Sequence, residues 1–230
     1  MGAKGPGVVV LAVLCVVLAI GLLVGKADDG GRDGDVVPRS TTTDAAAATS
    51  DPGSVEELLT GLAVRSSDPA ADYRRAAFGD DWDYDPASGC NTREEVLIDE
   101  SVIHPTVDDR CRTTNGRWRS LYDGVETDDP ADLQIDHLVP LADAWRSGAD
   151  AWTADRRRSF ANDRISPDTL IAVTGHTNQS KGDSTPDEWL PPDEGSWCTY
   201  AEMWVRVKAT WDLSVTRPEA DRLGQILAAC

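Results

Sequence analysis

Apolar and polar positions change rhythm several times along this chain, and each change marks an element. The first pattern is unbroken: the 21 residues GPGVVVLAVLCVVLAIGLLVG carry no charge between Lys4 and Lys26. A helix of that length spans about 30 Å, close to a bilayer's hydrocarbon thickness. Residues 1–26 therefore read as a signal-anchor or a signal peptide, that is, an N-terminal transmembrane or signal helix. Residues 27–53 follow with Asp, Gly, Thr, Ser and Ala and hardly a large apolar side chain. Too little surface can be buried there to offset the entropy of ordering, so the segment reads as a disordered linker.

Beyond residue 53 the apolar positions recur at helical and strand spacings. Ser54-Val55-Glu56-Glu57 has the form of a capping box and opens a short helix through Leu62, within a helical N-terminal extension over 54–89. Thr92-Arg93-Glu94-Glu95 repeats that signal before Val96, Leu97 and Ile98. Asn115-Gly116, between β-tolerant residues from Cys111 to Tyr122, predicts a hairpin. Leu133–Leu141 is an apolar run interrupted by Asp136 and His137, and Leu170–Val173 is a second short strand. Helices are predicted from the Thr153 cap to Asn162, through Asn178 to Lys181, and from Thr185, where Pro186 takes the first position. Trp197, Tyr200, Trp204, Val207 and Trp211 step by 3, 4, 3 and 4, the buried stripe of another helix. Pro218 opens the last. The class is α+β, with the main domain over 90–230.

Composition sharpens this picture. Apolar residues make up 40% and all eight Trp lie at or beyond Trp82, so the core belongs to the C-terminal two-thirds. The formal net charge of −18 argues against a broad electropositive surface and against tight non-specific duplex binding. Yet residues 136–183 hold six basic side chains against seven acidic ones, so the acidity lies mainly elsewhere. Outside the apolar run there are four cysteines, Cys90, Cys111, Cys198 and Cys230, which allow three pairings. The sequential pairing closes the shorter loops and is preferred. A zinc site is the rival, but no pair has the close spacing such sites use.

Two segments carry candidate chemistry, IDHLVPL from Ile135 and TNQSKGD from Thr177. An ionisable Asp-His pair inside an apolar strand needs partners. Neighbours on a strand face opposite ways, but at a strand end before a Pro140 turn both can border one cavity, the plainer alternative being a pair that caps a turn. Asn178 and Lys181, three apart, share a helical face. Phosphodiester cleavage needs a base for water, a cation on the phosphate and leaving oxygen, and a positive group for the remaining charge. His137, then a divalent ion on Asp136 and Asn178, then Lys181 supply these in order. Arg156 and Arg157 are candidates to meet a phosphate backbone, against the plainer reading of a solvated helix face.

IDHLVPLADAWRSGA, RRRSFAND, LIAVTGHTNQSKGD and PDEWLPP together resemble exported actinobacterial HNH endonuclease-like proteins. These are similar to the C-terminal domain of GmrSD-type modification-dependent restriction enzymes. The resemblance implies a ββα-metal (HNH-type) finger embedded in a small helical domain: two strands, the first carrying the Asp-His motif, then a helix with the last ligand. It implies His137 as general base, and Asp136 and Asn178 as ligands of one divalent ion, Mg2+. Thr169 stands where the family pattern has an Asn that braces the His loop, with Asn162 a possible substitute. His176 reads as an exposed turn residue.

The expectation is thus a metal-dependent endonuclease acting on nucleic acid, DNA first, at the cell membrane with an extracellular domain, or secreted. Its rivals are a catalytically silent surface domain that binds a partner or nucleic acid, and a hydrolase of another phosphoester.

Overall fold

The computed structural model describes residues 53–66 and 72–230. The expected N-terminal helix and linker lie outside the described residues. Among the described residues no helix is long and apolar enough to cross a membrane. In chain order they form helix α1 (Val55–Gly61), strand β1 (Val64–Arg65), α2 (Thr92–Asp99), β2 (Thr106–Val107), β3 (Thr113–Thr114), β4 (Trp118–Arg119), β5 (Glu126–Thr127) and β6 (Leu133–His137). These are followed by α3 (Leu141–Arg146), α4 (Ala154–Ala161), β7 (Leu170–Thr174), α5 (Gly175–Lys181), α6 (Trp197–Thr210), β8 (Val215–Thr216) and α7 (Arg217–Leu227). Helices and small two-stranded sheets make this an α+β arrangement.

Local chemistry explains most boundaries. Ser54 and Glu57 form the predicted capping box at α1, and Thr216 with Glu219 forms another at α7. Thr153 caps α4 by accepting from the Arg156 N–H, as expected. At α2 the cap falls one residue earlier than predicted, on Asn91, which accepts from the Glu94 N–H. Thr92 is drawn into the helix because its hydroxyl donates to Asn162 Oδ1 at 2.9 Å.

The antiparallel ribbon β6–β7 is the frame of the candidate site. Its register pairs Asp136 with Ile171 and His137 with Leu170, and Leu138 N extends it by donating to Thr169 O at 3.0 Å. Pro140 has no N–H to continue the ladder, so the chain turns there and α3 begins. Ile171 and Val173 face the main core, built from Tyr200, Trp204, Val205 and Val207 of α6 with Leu223 and Ile226 of α7. Leu133 and Ala172 face a smaller core with Leu97 and Trp118. Helix α1 packs on α6 and α7, and β1 pairs in parallel with β8.

Two predicted elements differ. Asn115-Gly116 is not a hairpin turn: β3 pairs with β2, and β4 with β5. Asn115 takes a φ of 58° and the chain bends around the buried Trp118 ring; a Cβ on Gly116 would lie 2.5 Å from that ring. The helix predicted from Thr185 closes only one turn, with Thr185 N donating to Glu188 at 3.2 Å. Pro191 and Pro192 stop it, because a residue before proline avoids helical angles and proline has no donor. The cysteines pair sequentially, Cys90 with Cys111 and Cys198 with Cys230.

Candidate active site

Alternation along β6 sends Asp136 and His137 to opposite faces of the ribbon, and each is buried in a different environment. On the core side, Asp136 Oδ2 accepts from Tyr122 Oη at 2.6 Å and from Lys181 Nζ at 2.8 Å. Lys181, 1% exposed, also donates to His137 O at 3.1 Å. It reaches this position because α5 ends on Gly182, whose φ of 57° suits glycine, and Gly182 N closes the last turn onto Asn178 O. Burial and the Asp136 charge push the Tyr122 hydroxyl well above its ordinary pKa, so it stays a donor. Tyr200, packed edge-on against Tyr122, keeps a buried hydroxyl with no hydrogen-bond partner among the described residues.

Asn178 sits one turn before Lys181 on the same helix face. Its amide donates to Gln134 Oε1 at 2.9 Å, and Gln134 shares the Asp136 face of β6. This leaves the Asn178 side-chain carbonyl and Asp136 Oδ1 without hydrogen bonds among the described residues. Two hard oxygen donors fit Mg2+, which takes one or two protein ligands and keeps waters and phosphate for the rest. No cluster of three His, Cys, Asp or Glu side chains among the described residues could hold a metal.

On the other face, the His137 ring lies between Trp82, nearly parallel at 5.5 Å between centroids, and Phe160 at 6.3 Å. Its Nε2 is 3.0 Å from the Ala161 carbonyl. A carbonyl only accepts, so Nε2 carries the hydrogen and Nδ1 carries the lone pair. Burial pushes the imidazole down to about 3, helped by the charges of Arg75 and Lys181, so the ring is neutral. It lines a cavity of about 150 Å3 together with Arg75, Asp80, Asp81, Trp82 and Asn162. Asp136 is not among the lining residues. The pair therefore does not share this cavity, because the strand stays regular through His137.

The remaining candidates are placed as follows. Thr169, fully buried, donates to Asp163 Oδ2 at 2.7 Å, and its carbonyl holds Leu138; it shapes the loop and strand end without touching the imidazole. Asn162 accepts from Asp83 N and Thr92 Oγ1, tying the segment after Trp82 to the end of α4. Arg157 donates to the carbonyls of Ala77, Ala149 and Trp152, so its guanidinium is engaged within the scaffold. Arg156 is exposed, lies over the Trp152 ring and pairs with Asp212 at 2.9 Å. His176 is exposed. Arg75, Trp82 and Tyr122 were not legible as site residues, because no spacing relates them to the Asp-His pair; only the tertiary fold brings them there.

Comparison with known proteins places these features in a family. The chain matches the family described as GmrSD restriction endonucleases, C-terminal domain, over residues 94–226. It is similar to an uncharacterized secreted protein of Arthroderma benhamiae, 46% identical over 175 residues, which covers 76% of this chain and 84% of the relative. No solved structure matches it. Both ribbon strands, α5 and every residue bonded to Asp136 lie inside the matched range, whereas Arg75 and Trp82 precede it.

Proposed function

Because the chain belongs to the family of GmrSD restriction endonuclease C-terminal domains, we propose that it is an HNH-type endonuclease that hydrolyses nucleic-acid phosphodiester bonds with His137 as general base. One observation carries this reading: the Ala161 carbonyl fixes the proton on Nε2, leaving the lone pair on Nδ1, and the imidazole lines a cavity of about 150 Å3. A base must be unprotonated and within reach of the water it activates. Stacking between Trp82 and Phe160 holds the ring plane, so water, once bound, meets a fixed acceptor. Nδ1 takes the proton while the water oxygen attacks phosphorus and the leaving oxygen departs.

Asp136 and Asn178 would hold one divalent ion, Mg2+, which when bound supplies Lewis-acid stabilisation. Because Asp136 does not line the His137 cavity, the substrate backbone would have to pass over the end of the ribbon to meet both the ion and the imidazole. Lys181 pairs with the Asp136 carboxylate and aims it, and its second bond to His137 O ties that carboxylate to the strand end. Thr169 is a positioning residue for the same strand end. The chain is exported in this reading, as two disulfides suit an oxidising compartment and the fungal relative is called secreted.

Incubating the full chain with supercoiled plasmid and with RNA, in Mg2+, Mn2+ or EDTA, tests the proposal. Cleavage is expected with a divalent ion and not with EDTA, and His137→Ala should lower turnover by about 10²–10⁴-fold at unchanged fold. A folded chain inert with every metal would overturn the reading and leave a surface domain that binds without cutting.

A further inference from the structure

We propose that Arg75 binds the substrate phosphate in the His137 cavity, so that the site is completed by a segment preceding the matched domain. This rests on the nuclease reading above, which leaves one role unfilled. A phosphoryl group under attack gains charge that a cation must meet. Lys181 cannot do so: it is 1% exposed, and Asp136 and His137 O take its ammonium on the other face of the ribbon. Arg157 is bonded to backbone carbonyls, and Arg156 is paired with Asp212 over the Trp152 ring.

Arg75 is different. It lines the same cavity as His137. Its guanidinium makes no hydrogen bond or ion pair among the described residues, although Asp80 and Asp81 line that cavity too. The 3-10 turn that carries it, Arg75–Phe78, is anchored by Phe78, which is 1% exposed and packs on Phe160 at 6.2 Å. Phe160 also stacks on His137, so one buried ring sets the positions of both the turn and the imidazole. A cavity of about 150 Å3 has room for about five waters at ~30 Å3 each, or for a phosphate with its attacking water. A planar guanidinium is suited to two phosphate oxygens at once.

The test separates this contact from catalysis. Anisotropy of labelled single-stranded DNA and RNA oligonucleotides is measured in EDTA against salt, with full-length His137→Ala protein as background. Adding Arg75→Ala should weaken binding about tenfold and flatten the slope of log affinity against log salt by about 0.7, one phosphate contact. Arg74→Ala removes the same charge from an exposed neighbour outside the cavity and should leave the slope in place; Arg75→Lys should keep the slope. In wild-type background, Arg75→Ala should lower turnover by about 10²-fold. An unchanged slope for Arg75→Ala, an equal change for Arg74→Ala, or no binding of either oligonucleotide overturns the proposal. A changed slope with an inactive wild type sinks only the nuclease reading.

Discussion

Two ionisable groups packed on the ribbon, half-buried Glu100 and buried His137, give opposite pH signatures, and they can be separated. Glu100, at the end of α2, accepts from Ala172 N at 2.6 Å, and burial pushes its carboxyl up to about 7 from an ordinary 4.5. A carboxyl whose folded pKa is raised stabilises when protonated. Its contribution is present below about pH 4.5 and is lost as pH rises through 7, roughly 3 kcal/mol in all. His137 opposes it: with its folded pKa pushed down to about 3, its contribution is present above the unfolded 6.5 and lost as pH falls. Urea unfolding of wild type should thus change little between pH 4.5 and 6.5, because the two contributions cancel there. Glu100→Gln should unmask the His137 contribution, with stability rising by about 2 kcal/mol from pH 4.5 to 6.5; a variant as flat as wild type over that range would refute the assignment. Lys181 makes the second residue-scale prediction. Removing it leaves Asp136 buried beside Tyr122 without its counter-charge, so Lys181→Ala should cost about 3–5 kcal/mol of stability. A residue that only met substrate phosphate would change KM and leave the unfolding midpoint in place. The sequence placed Asp136, His137, Asn178 and Lys181 at the two key segments, but it could not tell an outward cation from a buried one. That depends on Tyr122 and the strand face, which lie in no local pattern.

At the scale of elements, the stripe on α6 was readable because its 3-4 period is a property of the helix alone. Tyr200, Trp204 and Val207 are fully buried, while Trp197 and Trp211 at the ends are half-buried. Trp204 also donates from Nε1 to Glu219 Oε1 at 2.7 Å, and Lys208 pairs with the same carboxylate at 3.1 Å. The capping residue of α7 is thereby bound to the stripe of α6. Trp204→Ala should cost about 3–5 kcal/mol by denaturant unfolding, through the cavity left and the lost donor. Less than 1 kcal/mol would mean that the stripe is not the core of this fold. Strand partners were harder to read. Both β6 and β7 were visible as apolar runs, but α3 and α4 lie between them in the chain, and Asn115-Gly116 pointed to a hairpin that does not form. Turn chemistry identifies a bend and not the strands it joins; here the large Trp118 ring, fixed by Nε1 to Leu97 O at 2.7 Å, decides the path.

For the molecule as a whole, the sequence pointed to one domain over 90–230 with a separate helical extension. The described residues contain interactions that cross that line: α1 on α6 and α7, β1 on β8, and Arg75 with Trp82 around His137. A stripe or a cap is encoded within ten residues, whereas these contacts join residues far apart and leave no periodic trace. The two disulfides act at this same scale. Cys198–Cys230 closes a loop of 32 residues between the first turn of α6 and the chain end, and Cys90–Cys111 closes 21 ahead of and beyond α2. Loop entropy gives each about 3–4 kcal/mol by constraining the unfolded chain. The α6–α7 pair is already joined by buried contacts and by the Trp204–Glu219 bond, so opening Cys198–Cys230 should leave the folded state in place and act through the unfolded one. Cys198→Ser with Cys230→Ser should therefore lower the unfolding free energy by about 3–4 kcal/mol with an unchanged far-ultraviolet spectrum. Reduction of wild type produced in an oxidising compartment should add the mass of four hydrogens, two per bridge. Four free thiols before reduction would remove both bridges and, with them, the strongest structural reason to place this fold outside the cell.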